Sequence, residues 1–367
     1  MNPFKSYTLK PGVTMRNRLV MAPMTTYSGN EDYTVSDEEL AYYRLRSQTL
    51  GMVITAATSI NDSAQAFERQ ISLKSDAFIP RMKELAKTIQ SQGALAVVQL
   101  HHGGRMNLPS LYDNPNAIVS ASAISAPREG LATPRAMTTA EIKSTIEDFA
   151  QATRRAIECG FDGVELHGAN TYLLQQFFSP HSNRRDDQYG GSVENRMRFI
   201  EELIDRVYAE IVSANQPNFI LGYRFSPEEL ETPGITMEDT LKLVDKLKEK
   251  PLDYLHISLK HYRQTPMRNE ADKTAIIDQI QSRLKHKIPM IGVGGIATKE
   301  NVLDAFKAGY EMISSGVAIL ADPAWGTHVE KGTLNTVFDP QTMPEHLYQR
   351  LYKNRQYFTQ GGYRFKS

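Results

Sequence analysis

The chain has almost no cysteine. Cys159 is the single one among 367 residues, which excludes a disulfide framework, a cysteine-rich zinc site and an iron–sulfur cluster held within one chain. An excess of charge of either sign is missing too. Lys+Arg and Asp+Glu both count 42, for a formal net charge of zero. A global basic field for nucleic acid and an acidic tail for a basic partner are thereby absent. No stretch approaches the roughly 18 apolar residues of a membrane-spanning helix. The opening, MNPFKS, has no apolar run behind a basic segment, so no secretory signal is read there. Linkers, low-complexity tracts and solenoid-type repeats are not seen. The expectation is a soluble cytoplasmic protein with no nucleic-acid or membrane partner.

What is present is 41% hydrophobic residues, enough for a sizeable core. Short apolar runs rich in β-branched residues begin near Leu19, Gly51, Ala94, Phe161, Phe219, Leu252, Ile288 and Tyr310. Amphipathic stretches separate them. Continuous apolar strands alternating with helices read as a parallel sheet covered by helices. Eight alternations fit a closed (β/α)8 TIM barrel better than an open doubly wound sheet. Ser36 with Glu39, and Thr138 with Glu141, have capping-box spacing. Ile200, Leu203, Ile204, Val207 and Ile211 recur on one helical stripe, as do Ile142, Ile146, Phe149 and Ile157. We expect one domain over residues 1–367, with the barrel at about 17–330 and a tail at about 340–367. Residues 101–137 and 169–193 form long connections leaving the C-terminal ends of strands three and four, where barrels place chemistry.

In strand four, Glu165 and His167 share a face with Gly163, which puts His167 at the rim. Asn170 and Tyr172 follow. His and Asn offer neutral donors that polarise an oxygen, and a phenol with an ordinary pKa near 10 can donate a proton. Taken alone, the group also reads as a satisfied structural histidine with an aromatic packed beside it. The His101-His102 pair invites a metal reading. Adjacent strand residues point to opposite faces, and no carboxylate or third histidine sits at ligand spacing, so no metal site is expected.

The segment from His167 to Pro180 (HGANTYLLQQFFSP) resembles the active-site segment of the old yellow enzymes. It runs into SNRRDDQYGGSVENR, residues 182–196, which is similar to that family's most distinctive signature. The likeness spans about Asn17 to Pro323. It implies an FMN-dependent enzyme using NADPH or NADH, with His167 and Asn170 on a substrate carbonyl oxygen and Tyr172 protonating an alkene. The opening NRLVMAPMTTY, residues 17–27, also resembles the family. By that likeness the backbone at Pro23 and Met24 approaches the flavin, Thr25 bonds near O4 and N5, and Tyr27 lies in the substrate pocket. Gln99 and Ala57 would meet the pyrimidine edge, and Arg224 would face N1 and O2. Gly294 and Gly295 after strand seven, with Ser315 and Gly316 after strand eight, would cradle the phosphate. Arg184 through Arg196 read mainly as structural, with Ser192 as a helix N-cap.

This sequence departs from the family in two places. Members usually carry an arginine for the phosphate where this chain has Val317, so Ser315 or a lysine elsewhere must compensate, or flavin binds more weakly. The pairing of Thr25 with Tyr27 and Asn170 mixes the patterns of two branches. The implied activity is reduction of an activated alkene (enone, enal, maleimide or nitroalkene). An NAD(P)H oxidoreductase acting on quinones or nitro compounds is an alternative, and a non-catalytic flavin- or phosphate-binding barrel a remoter one. The tail, with Tyr348, Tyr352, Tyr357, Tyr363 and Arg364, would pack on a neighbouring subunit of a homo-oligomer or cap its own barrel.

Overall fold

A computed structural model describes residues 2–366. Eight parallel strands close into a barrel: β1 (Leu19–Met21), β2 (Met52–Ile54), β3 (Leu95–His101), β4 (Gly163–Gly168), β5 (Ile220–Phe225), β6 (Tyr254–Ile257), β7 (Met290–Gly292) and β8 (Met312–Ser315). Each pairs with the next, and β8 returns to β1 through Ser314 opposite Val20. All eight apolar runs are therefore barrel strands. They are nearly continuous in apolar residues because helices cover the outer face while side chains fill the interior.

The interior is layered. Val20, Met52, Ile54, Val97, Ile220, Ile291 and Met312 fill its lower part. An N-terminal hairpin, Tyr7–Lys10 with Val13–Met15, adds Leu9, Val13 and Met15 to the same cluster. Higher up the inward positions turn polar, with Gln99, Glu165, His167, Arg224 and His256 all buried.

Helices ring the barrel: α1 (Asp37–Arg46), α2 (Ile79–Gln90), α3 (Thr139–Glu158), α4 (Val193–Ser213), α5 (Met237–Leu247), α6 (Ile276–Leu284) and α7 (Lys299–Lys307). The α4 stripe Ile200, Leu203, Ile204, Val207 and Ile211 is buried as its spacing predicts. Thr138 and Glu141 form a complete capping box, and Ser192 caps α4. Ser36 caps α1 but without reciprocity. Glu39 is fully buried and accepts from the Thr26 hydroxyl instead of the Ser36 N–H, so burial overrides the local motif. No helix among the described residues is long and apolar enough to cross a membrane.

The tail packs on its own barrel. Phe338, Phe358, Tyr363 and Phe365 cluster by their rings. Arg46 of α1 is buried and donates to Ile319 O, Leu320 O and Thr342 O, stitching the tail's start to the segment after β8.

Candidate active site at the barrel mouth

The site starts with β4. Register sets His167 beside Arg224 of β5, and Arg224 beside His256 of β6, so three inward side chains follow one another across adjacent strands. Beyond Gly168 the chain turns through Asn170 (φ 56°) and Thr171 (φ 67°), left-handed backbone that a β-branched threonine rarely adopts. A Cβ on Gly168 would lie 2.2 Å from the Tyr223 hydroxyl, so only glycine lets the strand end there. This turn throws Tyr172 back over the mouth as N-cap of the short helix Leu173–Phe178.

There Tyr172 meets His167 (5.0 Å between centroids), His101 (4.4 Å) and Phe67 (6.0 Å), all near edge-on. Burial raises the Tyr172 phenol well above its ordinary pKa and Tyr27 adds to this, against Arg128 and Arg224. The phenol is protonated at neutral pH. Burial, then His101, Arg224 and His256, hold His167 well below the usual imidazole value. Its Nδ1 accepts from the Ala169 N–H (3.3 Å), which leaves the proton on Nε2. Asn170 accepts on Oδ1 from the Ser258 hydroxyl (2.8 Å), freeing its NH2 as a donor. Arg224 donates to the same Ser258 oxygen at 3.4 Å. His167 and Asn170 thus reach the rim as neutral donors with Arg224 as common neighbour.

The other expected contacts converge from four strands. Ala22 N–H donates to Ser315 O (3.0 Å), and a Cβ on Gly316 would lie 3.0 Å from the Met24 sulfur, so the ends of β1 and β8 frame one space. Pro23 and Thr25 are half-buried, and the Thr25 hydroxyl has no hydrogen-bond partner among the described residues. Ala57 O and His101 Nδ1 both accept from Gln70 Nε2, at 3.1 Å each. Gln99 donates to Glu165 Oε1 (2.7 Å). Among the described residues its second amide hydrogen and its carbonyl have no partner. Arg224 is buried with no partner for Nε.

Beyond β7, Gly294 (φ 114°) and Gly295 (φ 65°) have backbone that favours glycine, and a Cβ on Gly294 would lie 2.6 Å from Leu259 O. With Ser315, Gly316 and Lys260 they line a cavity of ≈ 700 Å3. Ser315 donates its hydroxyl to Ile296 O (2.6 Å), so it offers a ligand its backbone rather than its side chain. Val317 lines this cavity without charge, and Lys260 is the one charged lining residue among the described residues.

Three participants escaped the sequence reading. His101 turns inward while His102 turns away to Ser63 and Gly104, the opposed facing expected of neighbours in a strand. With Nδ1 accepting from Gln70, His101 carries its proton on Nε2, which is buried and unpartnered. Phe67 stands edge-on between Tyr27 (5.7 Å) and Tyr172. Arg350 of the tail lies over the Tyr27 ring at 3.7 Å and pairs with Glu68 at 2.7 Å. Inward facing was the available signal for His101. Phe67 and Arg350 gave none.

The donors and the glycine-lined cavity fit FMN: Arg224 Nε and the free amide of Gln99 await a polar ring edge, and the cavity suits a ribityl phosphate. The profile of the NADH:flavin oxidoreductase / NADH oxidase family matches residues 3–335. The chain belongs to this family, that of the old yellow enzymes. It is 41% identical to a probable NADH-dependent flavin oxidoreductase, YqiG, of Bacillus subtilis, over 96% of this chain and 97% of that one. It is also 41% identical to an NADH:fumarate oxidoreductase of Klebsiella pneumoniae, over 93% of this chain but only 37% of that longer protein. Morphinone reductase superposes with a TM-score of 0.78 at 28% identity, over 93% of this chain and 92% of that one. Membership makes the chain an FMN-dependent oxidoreductase with NADH or NADPH as reductant.

Proposed function

We propose that this chain reduces an activated alkene, with Tyr172 as proton donor. The observation that carries this is the half-buried Tyr172 ring held edge-on to His167 and His101 at the barrel mouth, where its phenol keeps its proton at neutral pH. When bound, FMN supplies two-electron chemistry, taking a hydride from the nicotinamide nucleotide and passing it to the acceptor.

The chain's own residues do the rest. His167 Nε2–H and the Asn170 amide hold the oxygen of the activating carbonyl or nitro group. They are neutral and already oriented, so they polarise it without reorganising as charge develops. The Tyr172 hydroxyl gives its proton to the carbon α to that group. Arg128 and Arg224 favour the phenolate left behind until a solvent proton restores it. Phe67 and Tyr27, packed edge-on beside Tyr172, would wall the substrate pocket. Arg224 would face the edge where a reduced flavin carries negative charge, and a Thr25 hydroxyl near the ring would favour the reduced form. Backbone at Gly294, Gly295, Ser315 and Gly316, with Lys260, would hold the phosphate in place of the arginine that Val317 replaces.

The test is an anaerobic absorption spectrum of the holoenzyme with NADH and NADPH added separately, then cyclohexenone. Bleaching of the flavin bands by one nucleotide and recovery with the enone supports the reading. Bleaching without recovery by any activated alkene overturns it in favour of a quinone or nitro acceptor.

A further inference from the structure

Just below Arg224 the barrel holds a closed polar layer. Glu165, fully buried, accepts on Oε1 from Gln99 Nε2 (2.7 Å) and on Oε2 from His256 Nδ1 (2.9 Å) and the Tyr254 hydroxyl (3.1 Å). His256 Nε2 lies 3.2 Å from the Ser314 hydroxyl. Tyr254 rises from the layer beneath through space that Gly222 leaves open, since a Cβ there would lie 2.1 Å from the Tyr254 ring. Glu165, Tyr254, His256 and Ser314 are 0% exposed and Gln99 1%.

The charges in this layer balance. Glu165 is the anion and Arg224 the cation, and each acts on the other's ionisation. Around His256 stand Glu165 of β4, Gln99 of β3, Arg224 of β5, Tyr254 of its own strand and Ser314 of β8, with His167 at the level above. Burial holds His256 below the ordinary imidazole value, Glu165 pulls it up and Arg224 pushes it down. The imidazole is then neutral, donating from Nδ1 to Glu165 and accepting from Ser314 on Nε2.

Gln99 and Arg224 would link this layer to the pyrimidine edge of bound FMN. A hydride from the nicotinamide nucleotide brings two electrons and one proton, leaves the oxidised nucleotide behind, and adds one negative charge at that edge. Arg224 is already matched by Glu165, and an uncompensated charge in a dry interior is costly. We propose that His256, steadied by Glu165, takes up the balancing proton when the flavin is reduced. The proton comes from solvent and bonds to Nε2. The Ser314 hydroxyl then turns from donor to acceptor, and the imidazolium sits between it and Glu165. Reoxidation returns the proton. His256 acts through Arg224 and Gln99, so it is a positioning residue. The inference rests on FMN and not on which acceptor is reduced.

The test is the pH dependence of the flavin midpoint potential of the holoenzyme, read by spectroelectrochemistry without any alkene. FMN retention is checked by fluorescence. The wild type should show a slope of about two protons per electron pair near neutral pH, and His256→Gln, which keeps a hydrogen-bonding side chain but does not titrate, about one. Equal slopes in the two overturn the proposal. Should His256→Gln fail to fold, Ser314→Ala carries the test. It removes the acceptor for the imidazolium, so the pH at which the slope changes should fall by about one unit. An unmoved break point overturns the proposal as well.

Discussion

His101 and Tyr172 meet edge-on, 4.4 Å between ring centroids at 77°. Gln70 fixes the His101 tautomer, and the proton on Nε2 has no partner among the described residues. Burial, with His102 adding to it, holds the His101 pKa down to about 3, so the ring is a neutral donor beside the phenol. A buried donor left unpaired costs about 1–3 kcal/mol unless a ligand satisfies it. His101→Leu should therefore leave the melting temperature unchanged or raised, while KM for the alkene rises about tenfold. Thermal melts and steady-state kinetics read the two effects. A lower melting temperature with unchanged KM would give His101 a packing role only.

Glu39 ties stability to pH. Burial pushes its carboxyl from 4.5 up to about 7, against the hydrogen bond from Thr26, and Oε2 has no partner. Between these values the unfolded chain ionises and the folded one does not. Stability should fall as pH rises from 4.5 to 7, by about 3 kcal/mol in all, and then level off. Glu39→Gln should flatten that slope in urea titrations across the window. A variant that keeps the full slope would place its origin elsewhere.

Gly294 combines φ 114° with a carbonyl 2.6 Å from where a Cβ would sit. Gly294→Ala should destabilise the chain by about 1–3 kcal/mol. It should also weaken FMN at least about tenfold, because the backbone that lines the phosphate cavity must move. Fluorescence titration with FMN, compared with riboflavin, separates a phosphate effect from a general one. Equal losses for both ligands would remove these glycines from the phosphate site.

Arg350 couples the tail to the mouth through Tyr27 and Glu68. The pair is solvent-accessible, so Arg350→Ala should cost less than about 1 kcal/mol of stability. Freed from the guanidinium, Tyr27 should hold substrate less well, raising KM a few-fold with FMN affinity unchanged. A change in FMN affinity would show that the tail acts on the cofactor.

The eight strands were legible because each is a continuous apolar run, and Gly294 and Gly295 because left-handed backbone favours glycine. His167, Asn170 and Tyr172 stand within six residues, so one motif displays them together. The layer beneath was not legible. Glu165 bonds Gln99 across 66 positions and His256 across 91, and no local spacing reports that. Glu39 shows the opposite failure: its spacing from Ser36 predicts a reciprocal cap, and tertiary burial takes the carboxylate away. Arg350 meets Tyr27 only because the tail folds back over the barrel.

Tyr172 is the proposed proton donor to the substrate. Rapid-mixing kinetics of Tyr172→Phe would separate the half-reactions. Reduction of the bound flavin by the preferred nicotinamide nucleotide should stay within about threefold of the wild type, while its reoxidation by cyclohexenone slows by about 100-fold or more, the range for loss of a general acid. Reoxidation by the enone at the wild-type rate would exclude Tyr172 as the proton donor and return it to a wall of the pocket.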